Sequence, residues 1–260
     1  MSEKGRIIKF DDLDAQMRVY ETSADFCVLP GIYMVARLDG RNFTTLTKEK
    51  AKFEAPFDIR FRDMMVETTK HLMNCGFKVI YGYTESDEIS LLFDLDTDVF
   101  SRKLRKYNSI LAGEASAKFS LLFNDIATFD CRICQLPHEK TVVDYFRWRS
   151  EDAHRNALNS HCYWMLRKEN YDKKEATKYI EHKTVADKNE LLYTHGINFN
   201  ELPNWQKRGV GLYWIKTEKI GYNPKDHSET KAERTIIHTD YDLPMREEYN
   251  DFILKMLRKQ

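Results

Sequence analysis

Apolar residues in this chain fall into short runs and helical stripes that alternate in a readable order. "GIYMVARL", Gly31 to Leu38, is short, apolar and bounded by Gly and by the polar "DGRN", which predicts a buried strand. From Pro56 to Cys75, Phe57, Phe61, Met64, Met65 and Leu72 recur at helical spacing, with Pro56 as a first-turn residue and Gly76 as terminator. Two further strands follow at about Phe77 to Tyr83 and Ile89 to Asp94, a helix over about Val99 to Asn124, and a fourth strand, Thr128 to Pro137, ended by proline. The order βαββαβ predicts an α+β fold of the split βαβ, ferredoxin-like kind, an antiparallel sheet with helices on one face.

Gly and Pro thin out through the middle of the chain, which favours long helices there. A long helix is expected from about Thr141 to Glu169, then shorter ones to about Gln206, and a hairpin near Gly209 to Thr217 and Arg234 to Thr239. The chain thus divides into a core over residues 1–138, with an N-terminal helix, and a helical C-terminal extension with a hairpin over 139–260, packed on that core. The last stretch reads as a loop and an amphipathic helix suited to an oligomer contact.

Charge narrows the function. The 41 basic and 41 acidic residues among 260 cancel, so the chain lacks the broad positive field of a non-specific nucleic-acid binder. Local basic runs remain at "RKLRK", "RWR" and "RKENYDKK", each of which also reads as a solvated helix face. No segment approaches the roughly 18 apolar residues of a membrane span, and the N-terminus lacks the apolar core of a secretory signal, so a cytoplasmic protein is expected. Five cysteines, an odd number in a long chain, are expected to be reduced thiols.

The chemistry concentrates in "VIYGYTESDEISLLF", where an apolar hairpin carries Glu85, Asp87 and Glu88 at its tip. A βαβ crossover returns the chain, so the strand ending at Leu38 and the strand ending at Tyr83 run the same way and share an edge. Asp39 and Asp87 then face one another. Like charges that close call for a cation, and oxygen-rich sites of this kind suit Mg²⁺. Two such ions, about 3.5 to 4 Å apart, clamp the attacking and leaving oxygens of an in-line phosphoryl displacement. Gly40 lets a carbonyl or a triphosphate approach. Taken singly, Asp-Gly is a common turn dipeptide and "TESDE" an ordinary polar hairpin loop.

"RLDGRNF" together with "YGYTESDEISLLF" resembles the tRNA-histidine guanylyltransferase superfamily, whose members extend RNA in the 3′-to-5′ direction. "FEAPFD" resembles that family's F-x-K-P-N-D, "YFRWRSEDAHRNALNSHCYW" its Y-L-x-W-R-x-x-D-x-H-I-N-N-L-Y-N-T-C-F-W, and "ADKNELLYTHGINFNELP" its A-D-K-N-E-x-L-x-x-x-G-I-N-Y-N-x-L-P. The similarity spans about Phe10 to Val210. It implies a polymerase-like palm with a helical extension, metal ligands at Asp39, the Gly40 carbonyl and Asp87, and an acidic catalytic position at Glu88. It further implies nucleotide binding by Gly40, Arg41, Asn42, Phe43, Ser86, Arg102 and Lys106, and contacts from His154 and Lys188 to a triphosphate or the RNA 5′ end. The implied cofactors and partners are two Mg²⁺ ions, ATP and GTP or another nucleoside triphosphate as substrates, tRNA, and a homotetramer built as a dimer of dimers. The 5′-monophosphate would be adenylylated by ATP and then attacked by the 3′-hydroxyl of the incoming nucleotide.

Two departures matter. The lysine of K-P-N-D is Ala55, so one phosphate contact that the resemblance implies is missing and is open to substitution by a neighbouring cation, and "HRNALNS" replaces H-I-N-N-L-Y-N. That septet characterises enzymes adding a single untemplated guanylate to tRNA-histidine, whereas bacterial and archaeal guanylyltransferase-like proteins lack it. The chain therefore looks like a template-dependent repair enzyme for 5′-truncated tRNA. Untemplated addition to tRNA-histidine, a nucleotidyl cyclase with a similar palm, and a non-catalytic tRNA-binding protein are the other readings.

Remaining features have plainer readings. Cys131 and Cys134 are three apart on a strand, which points them to opposite faces and makes a zinc site improbable. His154 and His161 share a helix face, and Trp148, Trp164, Phe146 and Tyr163 read as core or helix-interface packing.

Overall fold

The computed structural model describes residues 8–222 and 229–258; residues 1–7 of the N-terminal stretch lie outside the described residues. An N-terminal helix α1 (Phe10–Thr22) buries none of its residues. The chain then enters β1 (Tyr33–Gly40), a short helix α2 (Phe43–Thr45) that runs into one turn of π-helix (Leu46–Lys50), and helix α3 (Ile59–Asn74). The hairpin β2 (Val79–Glu85) and β3 (Glu88–Phe93) follows, then α4 (Leu104–Phe123), β4 (Phe129–Leu136) and the 30-residue α5 (Glu139–Lys168). Helices α6 (Lys173–Ile180), α7 (Val185–Thr194) and α8 (Asn204–Arg208) lead to a second hairpin, β5 (Val210–Tyr222) and β6 (Glu229–Asp240), and to α9 (Arg246–Arg258).

The six strands form one sheet in the order β4-β1-β3-β2-β5-β6, every neighbouring pair antiparallel. β1 and β2 both run antiparallel to β3, so their C-terminal ends lie at the same edge, as the crossover argument requires. The expected second hairpin joins this sheet through pairing of Tyr81 to Thr84 with Val210 to Tyr213.

The helices of the βαββαβ core, α3 and α4, lie on one face of the sheet as expected, and α5 and α9 of the extension cover the other. Met34, Ala36, Leu38, Ile89, Leu91 and Phe93 pack toward α3 and α4, whereas Val35, Tyr81, Tyr83 and Leu92 pack toward α5 and α9. The physical reason is written in β3: "EISLLF" ends in consecutive apolar residues, and a strand buried on both faces has no polar side to alternate with. Tyr249, Ile253 and Leu257 of α9 are buried against the sheet, so the apolar stripe read as an oligomer contact is used within the chain. The C-terminal half of α5 leaves the sheet and gathers a separate small core with Ala176, Leu192 and Phe199.

Two helix starts differ from expectation. α3 begins at Ile59, not at Pro56, because the Asp58 carboxylate caps it by accepting from the backbone N–H of Arg60 at 2.8 Å. The stretch Val99–Arg102 is a 3₁₀ turn with Phe100, Ser101 and Arg102 at positive φ, so α4 starts only at Leu104. Cys131 and Cys134 do lie on opposite sheet faces, one in each core. Among the described residues no helix is long and apolar enough to cross a membrane.

Candidate active site

β1 delivers Asp39 to the sheet edge, where it stands directly opposite Glu88 on β3 and Asp130 on β4. The hairpin tip is a two-residue loop, Ser86 and Asp87, closed by the Glu85–Glu88 pair, with Ser86 in the left-handed region at φ 47°. A backbone hydrogen bond from Gly40 N–H to the Asp87 carbonyl, 3.0 Å, fastens this tip to the end of β1. Asp39 and Gly40 are thus brought together with Asp87, which is far from them in sequence. A side chain at Gly40 would collide with the Phe43 ring, its Cβ only 2.5 Å from the nearest ring carbon, so glycine here admits the packed ring beneath the loop. Phe43 itself is buried among Phe61, Phe119 and Phe129 while also forming part of the cavity wall.

Burial pushes the Asp87 carboxyl up to about 6, against the hydrogen bond from Ser86 Oγ, and the charges of Asp39 and Glu88 push the same way. Such a pair gains from a cation. Two carboxylates with the adjacent Gly40 carbonyl make an all-oxygen donor set that fits Mg²⁺, an ion usually held by one or two carboxylates plus substrate phosphates. Among the described residues no cluster of three or more His, Cys, Asp and Glu side chains stands together as a metal site.

Glu88 is engaged differently from a free catalytic carboxylate. Its two oxygens accept from Arg37 at 2.5 Å and from Arg149 at 2.8 Å. Arg149, on α5 and 3 % exposed at its side chain, also donates to Glu85 at 2.9 Å and Asp152 at 3.3 Å. Trp148, expected in core or helix-interface packing, covers the guanidinium groups of both Arg37 and Arg149 and is itself half exposed. Glu88 therefore ties the tip to the sheet and to α5.

Arg102 also departs from its expected place. The positive-φ turn before α4 buries its guanidinium, which donates to the carbonyls of Val28, Ile32, Leu95 and Thr97, so four of its five N–H groups are committed to the backbone. Arg41 and Asn42 are exposed just past β1. Lys106 sits on α4 with Nζ 6.0 Å from the Phe100 ring, and Lys188 is half-buried on α7. His154, on α5, packs edge-on against Phe199; burial, with Lys207, Arg208 and Arg246 nearby, lowers its pKa.

Beside the tip opens a cavity of about 440 Å³. Ser86, Asp87 and Glu88 form one part of its wall, and Ala55, Phe57, Lys48, Arg62, Trp164 and Trp205 form others. Asn156, Asn159 and Ser160 of the "HRNALNS" stretch also line it. Lys48 and Arg62 were missed in the sequence because each lies in a densely charged stretch, "TKEKAK" and "DIRFRD", where nothing distinguishes one cation from the next.

The site is thus a carboxylate pair at the edge of a six-stranded sheet, with a cavity beside it. The model of the family described as tRNAHis guanylyltransferase matches residues 14–137, and that of the Thg1 C terminal domain matches 140–253. The chain belongs to the tRNA-histidine guanylyltransferase family. It is accordingly a nucleotidyltransferase of tRNA processing. A probable tRNA(His) guanylyltransferase of Bos taurus is 30% identical over 213 residues, covering 78% of this chain and 71% of that one. Among solved structures, a bacterial tRNA(HIS) guanylyltransferase (Thg1)-like protein in complex with ATP superposes with a TM-score of 0.74 at 25% identity, covering 95% of this chain and 99% of that one. Its GTP complex gives 0.69 at 25% identity with the same coverage.

Proposed function

We propose that this nucleotidyltransferase adds nucleotides in the 3′-to-5′ direction to the 5′ end of truncated tRNA, choosing each by pairing with the opposing strand. ATP first adenylylates the 5′-monophosphate and releases pyrophosphate; the 3′-hydroxyl of an incoming nucleoside triphosphate then attacks that phosphorus and releases AMP. Asp39, the Gly40 carbonyl and Asp87 are the residues that would hold Mg²⁺, which supplies charge neutralisation at phosphorus when bound. Arg149 and Arg37 act through Glu88, holding the hairpin tip so that Asp87 stays beside Asp39. The active form is a homotetramer, and the exposed apolar side chains of α1, Phe10, Val19 and Tyr20 among them, are the surface suited to subunit contact.

The observation that carries the templated reading is the "HRNALNS" stretch. Asn156, Asn159 and Ser160 line the cavity, while Arg155 is exposed and held by Asp152 at 2.5 Å, a cation suited to an RNA phosphate of any sequence. A wrongly paired nucleotide would misplace its attacking hydroxyl and react slowly. The test compares a tRNA lacking its first nucleotide with full-length tRNA-histidine. Template-matched addition to the truncated tRNA supports the proposal. Preferred guanylate addition to full-length tRNA-histidine replaces it with the untemplated reading, which the name of the Bos taurus relative favours.

A further inference from the structure

The cavity wall contains two cations among the described residues, Lys48 and Arg62, and they are held very differently. Arg62 donates twice to Asp63, at 2.8 and 2.7 Å, and its guanidinium lies 4.8 Å from the Trp205 ring centroid and 4.7 Å from that of Tyr241. Lys50, two residues from Lys48, pairs with Asp125 at 2.7 Å. Lys48 has no carboxylate partner among the described residues; its Nζ rests 5.1 Å from the centroid of Trp164, another residue of the same wall. A cation resting on an aromatic face at an exposed site is weakly held compared with one bonded to an anion.

The carboxylates on the tip side are already assigned, Glu85 and Glu88 to Arg149 and Arg37. A polyphosphate entering the cavity therefore meets acidic Asp87 at one part of the wall and needs positive charge elsewhere. An ammonium with three rotatable donors suits a phosphate oxygen whose position varies. Ala55, where the matched motif has lysine, lines this cavity too.

We infer that Lys48, released from the face of Trp164, binds the β- and γ-phosphates of the nucleoside triphosphate in this cavity and so supplies the phosphate contact that Ala55 lacks. This rests on the reading of the cavity as a triphosphate site. Lys48 selects for a polyphosphate over a nucleoside monophosphate, whose single phosphate does not reach it.

Calorimetric titration of the full chain with ATP and with AMP, both with Mg²⁺, tests the assignment in wild type, Lys48→Ala and Lys48→Arg. Losing one charge-assisted phosphate contact is expected to weaken ATP binding of Lys48→Ala roughly tenfold or more, with AMP changed less than about twofold and Lys48→Arg close to wild type. Lys48 is exposed, so the variants should fold normally, which unchanged melting verifies. Unchanged ATP binding in Lys48→Ala, equal weakening of ATP and AMP, or equal losses in both variants overturns the role of Lys48 while leaving the triphosphate site standing. Wild-type protein that binds no ATP overturns both.

Discussion

Asp39 and Glu88 stand directly opposite each other on β1 and β3, two carboxylates in a cross-strand pair, with Arg37 2.5 Å from Glu88 and 3.8 Å from Asp39. Like charges so placed destabilise a sheet unless compensated. Arg37 is spent mostly on Glu88, which leaves Asp39, among the described residues, with long ion-pair contacts to Arg37 and to Arg132 at 3.9 Å. Asp39 is thus held in place with its charge incompletely met.

From this relationship, Asp39→Ala and Asp87→Ala should each lower nucleotide addition by at least about a hundredfold, because each removes a charge that electrostatic catalysis needs. Neither should lower the melting temperature, since repulsion is relieved. Single-turnover addition to a truncated tRNA, read beside thermal melting, checks both halves. Substantial residual addition with Mg²⁺ present would remove the ligand assignment.

Arg149 should behave in the opposite way. Arg149→Met leaves Glu85, Glu88 and Asp152 without their shared partner, and breaking a buried pair from one side costs about 3 to 5 kcal/mol. Denaturant unfolding should show a loss of that size. A loss below about 1 kcal/mol would mean that the three carboxylates are already solvated in the folded protein.

Asp58 predicts a pH dependence. Its hydrogen bonds from Arg60, and from the backbone of Glu54 and Arg60, hold the carboxyl down to about 2 against its burial. The folded value lies below the unfolded one of about 3.9, so this stabilisation is complete above about pH 4 and is lost as pH falls toward 2. Asp58→Ala should cost about 1 to 2 kcal/mol near neutral pH through loss of the α3 cap. The gap in stability between variant and wild type should then narrow between about pH 4 and pH 2, and a constant gap would refute it.

Activation should depend on the 5′ end. Addition to a 5′-monophosphorylated RNA should require ATP and pass through an adenylylated RNA, whereas a 5′-triphosphorylated RNA already carries pyrophosphate as leaving group and should need none. Trapping the intermediate with labelled ATP distinguishes the two. Equal ATP dependence for both RNAs would contradict the two-stage scheme.

Much of this was legible in the residues. The meeting of Asp39 with Asp87 followed from strand direction alone, because a crossover helix leaves little choice about which strand ends share an edge. The partners of Glu88 did not follow, since Arg149 lies 61 positions away and reaches it only once α5 is laid across the second sheet face. Arg102 was expected at a triphosphate only through the family resemblance, and no residue pattern announces the positive-φ backbone at Phe100 to Arg102 that turns its guanidinium onto the carbonyls of Val28, Ile32, Leu95 and Thr97.

Helix α5 also works as a gauge. Arg149 is anchored at the hairpin tip, and Asn156, Asn159 and Ser160 reach the cavity from the same continuous helix. Each residue along it adds about 1.5 Å and turns about 100°, so spacing and facing are fixed together. Changing either end by substitution adjusts a contact, but inserting one residue between them would swing the cavity-facing side chains a quarter-turn or more away. Helical periodicity thus ties the length of "RSEDAHRN" to the shape of the cavity, and sequence drift there is confined to changes of residue type.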